Sequence, residues 1–154
     1  MKKPIELKLT PEGFKKLVDE ERELRESRPG VLKRMVEARE QGDLSENAGY
    51  HAARERLGYI DSRLRQLKVM IRFAQVIESS NQNIVSFGNH VTVKNDGETR
   101  AFTIVSAQEA DPTSGKISDV SPIGSSLMGK SVGEKATVDT QDGKTIFEIL
   151  DIKI

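Results

Sequence analysis

Gly42-Asp43-Leu44-Ser45-Glu46-Asn47 is the point about which the first half of this sequence turns back on itself. Before it, Phe14, Leu17, Glu21, Leu24, Arg28, Val31, Met35 and Ala38 advance in alternating steps of three and four, and six of these eight are apolar. That is the stripe of a two-helix seam. After it, Tyr50, Ala53, Leu57, Ile60, Leu64, Leu67, Ile71 and Ala74 repeat the stepping without a polar exception. If the runs are arms of an antiparallel hairpin, residue n meets a mate near 88 − n, and every seam position has one. The carboxylates of Asp43 and Glu46 then lie at the far end of a rod. About 30 residues per arm at 1.5 Å each makes that rod ~45 Å long, too long to fold over a small second domain.

Helix punctuation agrees with this reading. Thr10 suits an N-cap and Pro11 the first helical position, where a missing N–H costs nothing. Arg28-Pro29-Gly30 predicts a kink or short break, because an interior proline removes a donor and crowds the preceding turn. The seam resumes in phase at Val31, so a bent arm is expected, not two unrelated helices. Gly42 suits a helix C-terminus, and Asp43 or Ser45 can cap a second helix running to about Ile77.

The 154 residues are expected to form two units: a coiled-coil hairpin over 1–78 with its tip at 42–47, a polar linker over 79–86, and a second domain over 87–154. In the second half the period changes to two. Val91 and Val93, then Ala101 to Val105, read as strands around Asn95-Asp96-Gly97; a short strand follows near Ile117 and a short helix from Pro122 to Met128. Lys135 to Asp139 and Thr145 to Ile154 form a closing pair. The fold class is α+β, a helical hairpin followed by a small antiparallel sheet with one short helix.

Residues 1–77 carry 17 Lys/Arg against 13 Asp/Glu, and 78–154 carry 7 against 11. The positive half points to an anionic partner for the rod. The absence of cysteine excludes thiol catalysis, disulfides and cysteine-bound metals. No early apolar run resembles a signal peptide and no stretch is long enough to span a bilayer, so a soluble intracellular, cytoplasmic chain with no membrane partner is expected.

Asp, Ser and Glu before a helix are commonly just caps that suit its positive end. Two carboxylates on an exposed tip cannot build a pocket, but they can complete a metal site inside another molecule, holding a second ion and orienting a water for attack on phosphate. Arg54 and Arg56, with Arg39 on the other arm, lie within about two turns of the tip and can grip a phosphate backbone leading to it. Arg63, Arg65 and Lys68 read as a solvated helix face. Tyr50 is a seam residue or a stacking ring, and Asn47 and Tyr50 are read as supports of the tip. His51 and His90 lack ligand partners at metal spacing, and the glycines at 124, 129 and 133 match no phosphate loop.

The stretch from Glu37 to Glu55, with Phe87-Gly88, Ser121-Pro122-Ile123 and Leu127-Met128-Gly129-Lys130, resembles the bacterial Gre transcript-cleavage factors over essentially the full chain. The resemblance implies a second domain of FKBP-like fold that docks on RNA polymerase beside the secondary channel, which the hairpin enters. It implies that Asp43 and Glu46, matching the family's tip acids, stimulate the polymerase's own cleavage of backtracked RNA. The implied partners are RNA polymerase and the nascent RNA 3′ end, gripped near Arg39 and Arg54. The implied metal is magnesium shared with the polymerase, not bound by the chain alone, which acts as a monomeric accessory factor with no cofactor of its own. Gly49 departs from the often acidic family residue. Two other readings stay open: a channel-binding regulator that does not stimulate cleavage, and a prolyl isomerase, for which the second half has too few aromatics.

Overall fold

The computed structural model describes residues 6–154, in the order β1 (Leu7–Leu9), α1 (Pro11–Arg39), α2 (Ala48–Phe73), β2 (Ala74–Val76), β3 (His90–Asn95), β4 (Glu98–Val105), β5 (Lys116–Ser118), α3 (Pro122–Leu127), β6 (Lys135–Thr140) and β7 (Gly143–Lys153). The first five residues of the extended lead-in expected from the sequence lie outside the described residues. The chain divides into two compact units, one containing 14–74 and the other 6–13 with 75–154.

The first unit is the expected hairpin. Leu24, Val31, Ile60 and Leu67 are its buried core, flanked by Leu17, Leu57, Leu64 and Ile71, all of them seam positions. Ile60 and Leu67 are fully buried, and each contributes about 1.5–3 kcal/mol by leaving water. Two charged pairs cross between the arms. Arg28 binds Asp61 through Nε at 2.6 Å and Nη2 at 3.1 Å, and Arg63 binds Glu20 at 2.6 and 2.9 Å. Asp61 is one residue from the ideal mate of Arg28, whereas Arg63 reaches over a turn to Glu20. The Asp61 carboxyl is held below its ordinary range chiefly by the hydrogen bonds from Arg28, and that of Glu20 by those from Arg63.

Of the kink or short break expected at Pro29, the break does not occur: α1 is one continuous helix from Pro11 to Arg39 with the proline inside it, as the in-phase seam implied. Proline withholds one donor from the carbonyl four residues back. Here Leu24 and Val31 are anchored on either side of it, and the neighbouring Arg28 is tied across to α2. Tertiary contacts therefore outweigh the local cost. The second helix is shorter than expected, because Ala74–Val76 becomes a strand paired with β1.

The second unit is built on a five-stranded sheet of order β5-β4-β3-β7-β6. Its core includes Val91 and Val93 of β3, Ile104, Phe147, Ile149 and Ile152, with Leu127 of α3 laid against it. β3 and β4 form a hairpin whose turn residues Asp96 and Gly97 have φ of 49° and 83°, the left-handed pair that suits strand twist. In β7 the buried residues run Phe147, Ile149, Ile152, which breaks strict alternation. Pairing with β3 jumps from Val93↔Ile149 to Thr92↔Asp151, so Leu150 is the extra residue of a bulge that returns Ile152 to the core face.

The sheet is antiparallel except at its edge, where β5 pairs with β4 in parallel. The ten-residue return through 106–115 is shorter than most parallel crossovers, which is why the sequence reads as all-antiparallel. It is stiffened by a 3₁₀ turn at Pro112–Ser114 that Asp111 caps through Thr113 N–H at 3.1 Å. Residues 79–86, read as a linker from their polarity, lie in this unit: Val85 is in its core, and Ser79, Asn81 and Ser86 bind the fully buried Asn89. No described helix is long and apolar enough to cross a membrane.

Candidate functional site

The site is the turn joining the two arms. α1 ends with an ordinary α-helical bond, Glu40 N–H to the Val36 carbonyl, followed by a tightening one, Gln41 N–H to that of Ala38, both 3.2 Å. Gly42 then takes φ of 130°, a region in which side chains are strained and glycine is not. Neither residue expected to cap α2 does so. Asn47 is the cap, with its Oδ1 accepting from Tyr50 N–H at 3.0 Å. Its Nδ2 donates to the Ala38 carbonyl at 2.6 Å, so one side chain caps α2 and satisfies an orphan carbonyl of α1. Asn47 thereby bonds to both helix ends at the turn. Tyr50 is half-buried, its ring edge-on to that of His51 at 5.5 Å.

Asp43 serves its own turn instead. Its Oδ1 accepts from Ser45 N–H at 3.0 Å and from the Ser45 hydroxyl at 2.9 Å. These two donors hold the Asp43 carboxyl below its ordinary range, so it is ionised and aimed. Among the described residues its Oδ2 has no partner. Asp43 and Glu46 are both exposed. No group of three or more His, Cys, Asp or Glu capable of holding a metal ion exists among the described residues. The turn therefore offers a preset carboxylate and a second one three residues on, which together supply only part of a hard cation's oxygen shell.

The arginines assort differently from the sequence reading. Arg39, Arg54 and Arg56 are all exposed. Residues two apart on a helix point about 200° apart, so Arg54 and Arg56 leave α2 on different faces. Arg56 instead lies 5.1 Å from the centre of the Tyr59 ring and lines a groove with Arg34 of α1. Arg34 carries no signal outside the seam, although the 88 − n rule places it opposite residue 54, within a turn of Arg56. Arg63, read from the sequence as part of a solvated helix face, is instead half-buried and held across the seam by Glu20. His90 shares a hydrogen bond with Thr103 at 2.8 Å, far in sequence from the tip.

Residues 7–76 match the family described as "Transcription elongation factor, N-terminal", and residues 80–154 match "Transcription elongation factor, GreA/GreB, C-term". The transcription elongation factor GreA of Thermodesulfovibrio yellowstonii is 44% identical over 149 residues, covering 94% of each chain. GreA of Bacillus cytotoxicus is 42% identical over 150 residues, 94% of this chain and 95% of that one. Among solved structures, GreA factor homolog 1 of Thermus thermophilus is 30% identical, with coverage of 97% and 99% and a TM-score of 0.45. With both halves matched and full-length relatives above 40% identity, the chain belongs to the GreA/GreB family of transcription elongation factors.

Proposed function

We propose that this elongation factor binds RNA polymerase and stimulates the polymerase's magnesium-dependent hydrolysis of backtracked nascent RNA, with Asp43 and Glu46 as the residues donated to that reaction. One observation carries the reading: an exposed helical turn holds a carboxylate ionised and oriented through Ser45, outside any pocket of its own. A carboxylate so placed serves chemistry in another molecule.

Asp43 Oδ2 and the Glu46 carboxylate fit as one or two oxygens of a magnesium shell whose remaining ligands come from the polymerase, phosphate and water. A magnesium ion held there supplies Lewis acidity and a more acidic water at neutral pH. The chain's own share is positional. Asp43 arrives with its geometry fixed before binding, Glu46 offers a second acceptor for a water proton, and Asn47 keeps the two helix ends from fraying. Arg39 and Arg54 are exposed cations beside this turn and would hold the RNA phosphates near the reacting bond. The chain acts as an accessory factor, a monomer that requires the polymerase for activity.

The test is direct. Adding the chain to a backtracked elongation complex with magnesium should accelerate release of short 3′ RNA fragments over the polymerase alone. Binding to the polymerase with no acceleration would leave a regulator that occupies the channel and takes no part in cleavage.

A further inference from the structure

The return that joins β4 to β5 over residues 106–115 reaches the start of α1. The Glu109 carboxylate accepts from the Thr10 backbone N–H at 2.9 Å and from the Thr10 hydroxyl at 2.5 Å, across 99 residues of sequence. That hydroxyl in turn accepts from Gly13 N–H at 3.0 Å. A hydroxyl has one proton and two lone pairs, so giving the proton to Glu109 leaves an acceptor aimed at the helix. Thr10 thus caps α1, and Glu109 sets the rotor of the capping hydroxyl. The carboxylate also suits the positive end of the helix. All three residues belong to the second unit, which takes in 6–13 along with 75–154.

Gly13 admits the carboxylate. It is buried, and a Cβ built there would lie 2.0 Å from Glu109 Oε1. Glycine weakens a helix relative to alanine, so its place in the first turn of α1 answers to this close approach. The return itself is a firm mount. Glu109 N–H bonds the Ser106 carbonyl at 3.1 Å, and Asp111 and Lys116 exchange backbone bonds of 2.9 and 3.0 Å. Lys116 adds an ion pair to the exposed Glu12 at 3.3 Å, of little weight alone.

α1 runs unbroken from Pro11 to Arg39, a lever of about 42 Å at 1.5 Å per residue. A tilt of about 3° in its first turn would move the far end by about 2 Å, whereas misplacing reacting groups by about 1 Å can cost about a hundredfold in rate.

We propose that Glu109 locks the root of α1 in the second unit and is a positioning residue for transcript cleavage, acting on Asp43 and Glu46 through the helix. This rests on the function proposed above, with the second unit as the part that the polymerase holds. The crossover that makes the β4–β5 edge parallel is then the mount of the hairpin.

The experiment compares four full chains: the unmodified one, Gly13→Ala, Glu109→Ala and the double variant. Gly13→Ala discriminates, because alanine favours the helix while the group it displaces is the free end of a flexible side chain. The fold is kept and the lock opens; a role confined to helix stability predicts no loss. Circular dichroism checks that helicity is equal or higher. The first readout needs neither polymerase nor magnesium. The sequence has no cysteine, so Lys68→Cys and Lys94→Cys, both at exposed positions, carry nitroxides there alone, and double electron–electron resonance reads the spread of distances between them. The spread should widen about twofold in each single variant and no further in the double, as expected of two residues that share one contact. The second readout is cleavage in a backtracked elongation complex. The rate at saturating factor should fall about tenfold, with the factor concentration for half-maximal effect held within about twofold.

An unchanged spread in both single variants would overturn the lock. A wider spread with the saturated rate unchanged would overturn the positioning role. A rate that is restored at high factor concentration would overturn it in favour of a direct contact between Glu109 and the polymerase. No stimulated cleavage by the unmodified chain would refute the function above, and the spread would still decide the lock.

Discussion

Asn47 joins the two arms at the tip, and its replacement is the perturbation whose effect can be worked most fully from the structure. Its Oδ1 caps α2 through Tyr50 N–H, and its Nδ2 closes the Ala38 carbonyl of α1 at 2.6 Å. Asn47→Ala removes the cap, about 1 kcal/mol, and the cross-arm bond, about 1 kcal/mol more. The sum, about 2 kcal/mol, applies to opening of the turn and not to the whole chain, because the second unit has a core of its own. Native-state hydrogen exchange is therefore the assay. Amides over 48–51 should exchange about thirtyfold faster, since 1.4 kcal/mol is a factor of ten. Asn47→Asp keeps an acceptor for Tyr50 and loses the donor to Ala38, so it should show about a fivefold increase. Exchange over 48–51 that is unaltered in Asn47→Ala, or equal in the two variants, would refute the dual role.

Further outcomes follow from other contacts. A Cβ at Gly124 would lie 1.9 Å from the Ser118 carbonyl oxygen, backbone that cannot yield, so Gly124→Ala should destabilise the second unit by about 3 kcal/mol; chemical denaturation monitored on that unit would show it. Asn89 is fully buried, donating to the Ser79 hydroxyl and the Asn81 and Lys153 carbonyls while accepting from Ser86, and Asn89→Ala should cost about 3 kcal/mol in the same measurement by stranding those groups. The Asp61 and Glu20 carboxyls are held below their ordinary values of 3.8 and 4.5 by Arg28 and Arg63, so the stability they add is complete above those values and disappears as the pH falls through the lowered ones. Thermal melts should show Asp61→Asn less stable than the unmodified chain at pH 7, with the difference vanishing in strong acid; a difference that grows on acidification would contradict the pairing.

The hairpin was legible because its information is periodic. Sixteen seam positions stepping in threes and fours specify which residues meet, and the buried cluster of Leu24, Val31, Ile60 and Leu67 is drawn from them. Local signals were weaker wherever tertiary contacts decide the outcome. Pro29 reads as a kink or a break, and neighbours anchored on both sides decide between them by carrying the helix through it. Asp43 and Ser45 are both good caps by composition, and only the observed Asp43–Ser45 bond shows that they satisfy each other and leave the cap to Asn47. In the second unit, strand positions were readable from alternation, but strand direction is not encoded in period, so the parallel β4–β5 edge was missed. The tip carboxylates stand out in the sequence as a motif, whereas nothing in the seam pattern shows that Arg34 and Arg56 line one groove.

The central claim is that Asp43 and Glu46 act in the polymerase's reaction and not in binding to it. The decisive measurement compares the unmodified chain with Asp43→Asn/Glu46→Gln in a backtracked complex, reading cleavage rate at saturating factor together with affinity for the polymerase. Both side chains are exposed and neither supports the hairpin core, so affinity should hold while cleavage falls to the rate of polymerase alone. Cleavage still stimulated by the double variant at saturation would contradict the account.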